Sequence, residues 1–327
     1  MKRFLQSEVG AALLWVLGAI LLAAVITPWL YQGGKWLAAT AEARELPALI
    51  ESVAGSCGRA RIDRFYDRAL LLSALLLLPL LRRRIKRLRH ETHTGPDRRK
   101  RYPWRLIVAQ ILVGCAIAGG LLWAMGLWLE TIGAYATKPT PPPFGKILSK
   151  VLIPAIAAPL LEEWLFRGIL LGLWLRFAKP ITACIGTSLV FAFVHFLEPA
   201  DGTVIADPAH PLAGFQLVGK ILAHFTDPLF FSTEFVVLFG VGWILAWARV
   251  RTGALWFSIG LHAGWVAAFK GFNLFHVAVA DHPLRPWGIG SGLSSGLMPL
   301  LMLAITVGVC HFAMRCFPAN GLSHASR

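Results

Sequence analysis

The chain has 327 residues, of which 56% are hydrophobic and 15% charged, with a mean hydropathy of +0.62 and a formal net charge of +15. Soluble domains carry about 25% charged residues, so these proportions and the long apolar runs exclude a pair of soluble domains and indicate a polytopic membrane protein. The positive charge does not indicate nucleic acid, because it is concentrated: nine arginines, Lys86 and Lys100 lie in the stretch that begins at Arg82 and ends at Arg105, opposed only by Glu91 and Asp97.

Lys2 and Arg3 precede an apolar run over residues 10–31. The run is long enough to span and has no clear small-residue cleavage site, so it reads as a retained first helix rather than a removed signal peptide. A mixed-charge loop is expected over 32–66, then a short, leucine-dense second span over 69–81. The basic stretch that follows is what the positive-inside rule places in a cytoplasmic loop, where it also meets anionic lipid headgroups.

A third span is expected over 106–129, and TKPTPPPFGK, residues 137–146, is a connector in which proline stops a helix. The fourth helix is expected at 147–177, the fifth from Pro180 to 198, the sixth at 229–248, the seventh at 254–269 and the eighth at 297–314. Residues 198–228 are too polar and too proline-broken to span, with room for a short interfacial helix. The expected fold is therefore an all-α membrane bundle of about eight transmembrane helices, with a three-helix region over 1–146 and the bundle that carries the chemistry over 147–327.

Orientation follows from the basic residues. Lys2, Arg3, the 82–105 stretch, Arg176, Lys179, Arg249, Arg251 and Arg315 all fall at the same ends of these spans. That arrangement places both termini on the cytoplasmic side of the plasma (inner) membrane. Cys57, Cys115, Cys184, Cys310 and Cys316 are scattered and show no CxxC spacing, which indicates neither a zinc site nor a disulfide framework.

The fourth helix contains LEEWLFRG, residues 161–168. Charged groups at membrane depth face a protein interior or a water-filled cavity and mark function. Glu163 and Arg167 lie about 40° apart on the helical wheel and can pair, whereas Glu162 is turned about 100° from Glu163 and stays available. Taken alone, the trio reads equally well as an ion-pair network that fastens helices.

Histidines shift that balance. In FAFVH, His195 shares a face with Phe191. Glu162 and His195 each lie about 16 residues, or about 25 Å, from the turn near Ala178 and Lys179, so an antiparallel helix pair brings them to one level. His262, in GLHAGWV, lies about 16 Å beyond Arg251, between Gly260 and Gly264, whose spacing permits close helix approach. A glutamate with a histidine can deprotonate water, and a second histidine can stabilise the oxyanion formed on a peptide carbonyl. The chemistry indicated is amide hydrolysis.

The EExxxR of Glu162, Glu163 and Arg167, the FxxxH of Phe191 and His195, and the later His262 resemble the three motifs of the CAAX protease and bacteriocin-processing enzymes. These are also called the type II CAAX prenyl endopeptidase or glutamic intramembrane protease family. The resemblance covers residues 147–270. It implies that Glu162 and His195 activate the water, that His262 contributes to the oxyanion site, and that Glu163 and Arg167 organise the motif. It also implies a membrane-anchored protein or peptide as substrate and no metal cofactor.

The family's third motif commonly continues HxxxN, whereas Val266 stands four residues after His262. Asn273 is about 20° from His262 on an ideal wheel but about three turns away, so it does not substitute. Two other readings stay open. The same residues suit zinc as ligands, although no HExxH is present, and a non-catalytic membrane scaffold or binding protein would retain the same pocket. The paired inverted repeats with broken helices that mark many transporters are not apparent.

Overall fold

The computed structural model describes residues 8–44, 47–91, 102–176, 178–197, 203–290 and 292–317. In chain order the helices are α1 Glu8–Ala43, α2 Ala48–Arg59, α3 Ile62–Glu91, α4 Trp104–Thr131, α5 Phe144–Trp174, α6 Pro180–His195, α7 Ala213–His224, α8 Pro228–Thr252, α9 Trp256–Phe275 and α10 Leu297–Ala313. Two short strands, β1 Tyr135–Thr137 and β2 His276–Ala278, pair antiparallel, with Tyr135 opposite Ala278 and Thr137 opposite His276. The fold is an all-α polytopic bundle to which one small ribbon is added.

Among the described residues, five helices are long and apolar enough to cross a membrane: Gly10–Ala43, Trp104–Thr131, Phe144–Trp174, Pro228–Thr252 and Leu297–Cys316. The other three expected spans do not meet that standard, so the count of eight is not confirmed. α6 has only 16 residues, about 24 Å of helix. α9 interrupts its apolar sequence with His262, Lys270 and Asn273. α3 has an apolar centre framed by charge, yet it exposes Leu71, Leu75, Leu76 and Leu80, a surface suited to hydrocarbon.

Two stretches expected as loops are largely helical. α1 runs on to Ala43, and α2 fills much of the remaining interval before α3. Lys35, Leu37, Ala38, Ala39, Ala41 and Glu42 are strong helix formers that outweigh the cost of Gly33 and Gly34, and the next proline is Pro47. Likewise α3 continues through the arginines to Glu91. The rest of the basic stretch up to residue 101 lies outside the described residues.

The chain divides into two compact units, Met1–Asp97 with His195–Asp227, and Arg98–Val194 with Pro228–Arg327. The boundary expected at residue 146 falls inside the second. In the first unit α1 packs along α3, where Trp15 Nε1 donates to Ala74 O at 3.1 Å. Pro28 lies inside α1 and cannot donate to the carbonyl of Ala24. Gly214 of α7 sits on that same peptide group, and a Cβ there would come within 2.7 Å of Ala24 C.

In the second unit, α4 and α9 run parallel. Gly114 faces Phe257 and Leu261, Gly119 faces Gly264, and Gly126 faces Phe272, so both chains ascend together. Gly260 and Gly264 of α9 rest on the backbone of Ile111 and Cys115, contacts that any side chain would block. Ala118, Leu122, Leu245, Phe257, Leu261 and Cys310 close the core around this seam. The glycine spacing read in the sequence thus marks a backbone-to-backbone contact, and His262 lies about 200° around the helix from Gly260, on the opposite face.

Candidate active site

α5 carries the glutamates at a change of helical geometry. The α-helical stretch Ile153–Glu163 ends at the second glutamate, and a wider π turn runs over Trp164–Leu170. Such turns inside helices often occur at functional sites. Here the turn contains Arg167, which is fully buried, as is Glu163.

Arg167 Nη1 donates to Glu163 Oε1 at 2.9 Å, and Nη2 donates to Gly242 O of α8 at 3.1 Å. The guanidinium lies over the Phe191 ring at 4.2 Å. A Cβ at position 242 would come within 3.1 Å of that ring, so the glycine leaves the space in which Phe191 and Arg167 stack. Phe191 also meets Phe166 edge to face at 5.1 Å and His262 at 6.0 Å. The phenylalanine of FxxxH is thus packed directly against the arginine of EExxxR.

His262 Nδ1 lies 2.9 Å from Glu163 Oε1 and its Nε2 lies 3.6 Å from Glu162 Oε2. Glu163 Oε1 therefore takes hydrogen bonds from both Arg167 and His262. A carboxylate paired with arginine accepts and does not donate, which places the proton of His262 on Nδ1 and leaves Nε2 facing Glu162. Glu162 is the more open of the two glutamates, with 28% of its side chain exposed. Its separation from Nε2 exceeds a direct hydrogen bond and suits a bridging polar atom. Glu163 Oε2 and Arg167 Nε are buried without a hydrogen-bond partner among the described residues.

Four of the five expected residues, Glu162, Glu163, Arg167 and His262, are thus brought together. His195 is the half-buried last residue of α6, one turn beyond Phe191, at the point where the chain passes from one compact unit to the other. Sequence reasoning anticipated the Glu163–Arg167 pair but missed the Glu163–His262 contact and the Gly242 carbonyl. The contact joins positions 99 residues apart, and no local spacing encodes it. Val266 lies one turn after His262 on α9 and offers no polar side-chain atom. Glu162, Glu163 and His262 are the side chains here with metal-ligand chemistry. Glu163 is already held by Arg167, and among the described residues no group of three or more such side chains is arranged to hold a metal ion.

Fold and site define an integral membrane protein with a buried glutamate, arginine and histidine constellation at the meeting of four helices. Residues 144–268 match the family model described as type II CAAX prenyl endopeptidase Rce1-like. The matched segment is similar to a family of proteases and contains Glu162, Glu163, Arg167, Phe191, His195 and His262; its limits fall beside the 147–270 expected from the motifs. Neither the curated proteins nor the solved structures provide a match to this chain.

Proposed function

We infer that this chain is an intramembrane endopeptidase that hydrolyses a peptide bond of a membrane-associated protein or peptide with water activated by Glu162. The observation that carries the reading is the placement of Glu162 and His262 Nε2 on either side of a 3.6 Å gap, with Glu163 and Arg167 fixing the histidine from behind.

Glu162 takes a proton from water as the water oxygen bonds to the scissile carbonyl carbon. The carbonyl oxygen becomes the oxyanion, and the proton held by Glu162 passes to the amine as the carbon–nitrogen bond breaks. Because Nδ1 is committed to Glu163, His262 stabilises the oxyanion from Nε2 as the imidazolium. His195 assists Glu162 in holding the water, as the family resemblance implies.

Val266 favours a second reading, a scaffold that binds such substrates without turning them over, because the position offers the oxyanion no hydrogen-bond donor. One experiment separates these readings. Wild type and Glu162→Gln are purified, shown to unfold at the same temperature, and compared on membrane-anchored peptides with and without chelator. Loss of a positioned general base costs roughly 100-fold or more. The expected result is that loss in Glu162→Gln with wild-type cleavage insensitive to chelator. Undiminished cleavage by Glu162→Gln would overturn the mechanism, chelator-sensitive cleavage would replace it with a zinc-dependent one, and binding without turnover by folded wild type would support the scaffold.

The same reading places both termini on the cytoplasmic side of the inner membrane, with the 82–105 stretch against anionic lipid. Reporter fusions at the two ends test the orientation, and vesicle binding after Arg98, Arg99 and Arg101 are changed to glutamine tests the lipid contact.

A further inference from the structure

The first compact unit contains a lateral cleft of about 550 Å³ between α1, α2 and α3. Its volume lies in the range of small-ligand sites, roughly 300–1,000 Å³. Trp29, Leu37, Val53 and Phe65 make the walls apolar, Gly33 leaves part of the α1 wall bare, and Arg68 adds a charge to the lining. The Arg68 guanidinium rests over the Phe65 ring at 5.6 Å and reaches two neutral acceptors, Ser56 Oγ at 3.5 Å and Cys57 Sγ at 4.0 Å.

The level of the cleft is set by α1. The apolar segment Gly10–Ala43 has 34 residues, about 51 Å of helix against about 30 Å of hydrocarbon, so its end emerges from the bilayer core. The charge-free run ends at Gly34, just before Lys35, and the flanking Trp29 and Trp36 are 61% and 70% exposed, as in the aromatic belt of a membrane interface. On α3, Arg68 immediately precedes the leucine-rich stretch that begins at Ala69. The cleft therefore combines apolar walls with a cation at headgroup depth.

We propose that this cleft binds one anionic phospholipid, its phosphate held by Arg68, its glycerol region seated against Gly33, Leu37 and Val53, and its acyl chains descending past Trp29 toward the bilayer core. A guanidinium suits phosphate because its planar fork makes paired, charge-assisted hydrogen bonds. Gly33 provides a specific probe. A Cβ there meets no protein atom within 4 Å, whereas one at Gly34 meets the Phe65 ring at 2.5 Å. Gly33→Leu thus fills the ligand's space while leaving protein contacts intact.

The test is native mass spectrometry of the full chain in detergent, titrated with phosphatidylglycerol or phosphatidylcholine of identical acyl chains. Wild type, Gly33→Leu, Arg68→Gln and Arg68→Lys are compared after a thermal-unfolding check. Wild type retains one more phosphatidylglycerol than Gly33→Leu, and Arg68→Gln binds it about fivefold more weakly, the effect of one interfacial arginine. Arg68→Lys recovers part of that loss, and phosphatidylcholine distinguishes the variants far less. Equal phosphatidylglycerol retention by all four proteins would overturn the proposal, as would equal preference for the two lipids. Displacement by soluble glycerol phosphate would reduce the site to an anion contact, and a dimer present in wild type and lost in Gly33→Leu would assign the cleft to a second copy of the chain.

Discussion

Two glutamate–histidine contacts lie along α9 and at its C-terminal cap, and they differ in how the histidines are held. At the end of the helix, His276 Nδ1 bonds Phe272 O at 3.1 Å and Nε2 lies 3.3 Å from Glu130 Oε2. The ring stacks on Phe272 with centroids 3.9 Å apart, and the Thr137 hydroxyl donates to the other Glu130 oxygen. Both nitrogens of His276 are occupied, and what they occupy is the ribbon that ties α4 to α9. At His262 one nitrogen is taken by Glu163, while the other faces Glu162 across a gap wider than a hydrogen bond. The same two residue types make a fastener in one place and a more widely spaced pair in the other. The difference lies in the arginine, which holds the glutamate that in turn holds His262 Nδ1.

The largest effect is expected from removing that arginine. Arg167→Met strands a fully buried Glu163 and breaks the bond to Gly242, with an expected loss of about 3–5 kcal/mol in unfolding free energy. Restoring neutrality with Glu163→Gln in the same chain is expected to recover much of it. If the single variant unfolds like wild type, the arginine does not hold the site.

A smaller loss, about 1–3 kcal/mol, is expected for Gly260→Ala, which drives a methyl group into the Ile111 backbone of α4. Gly172→Ala is its control, since nothing lies within 4 Å of a Cβ there, and it is expected to be neutral or to gain up to about 1 kcal/mol in helix propensity. Because His262 rides on the same helix, Gly260→Ala should also lower cleavage in a single-turnover assay.

The smallest effect belongs to the ribbon. Glu130 is 30% exposed, so solvent screens its pairing with His276, and Glu130→Gln is expected to cost less than about 1 kcal/mol. Cleavage should be unchanged in Glu130→Gln and in His276→Gln, yet lost in His262→Gln. Equal activity losses at His262 and His276 would erase the distinction between the two pairs.

The sequence made legible what depends on spacing within a helix. Glu163 and Arg167 pair as their four-residue separation requires, and Gly260 and Gly264 mark the face that meets α4. Helix positions were readable because apolar runs are long, but their ends were not. α1 passed beyond Tyr31 because residues that are polar enough for a loop are also good helix formers. The ribbon was invisible because three residues on each side, YAT and HVA, gain strand geometry only from each other. The commitment of His262 to Glu163 could not be read for a related reason: it depends on how α5 and α9 pack, which no local pattern specifies.

The π turn over Trp164–Leu170 has a consequence for how this helix tolerates changes in length. A π turn amounts to one residue wound into an α-helix without extending it. Deleting Ile169 would let the turn relax to α geometry and keep the residues downstream close to their present faces. Leu171 and Leu173, now 0% and 2% exposed, would stay in the core together. The motif and the packing face of α5 are thus written in two reading frames joined at Arg167, and a one-residue deletion that would throw an ordinary helix out of register would here remove only the wide turn that presents the arginine.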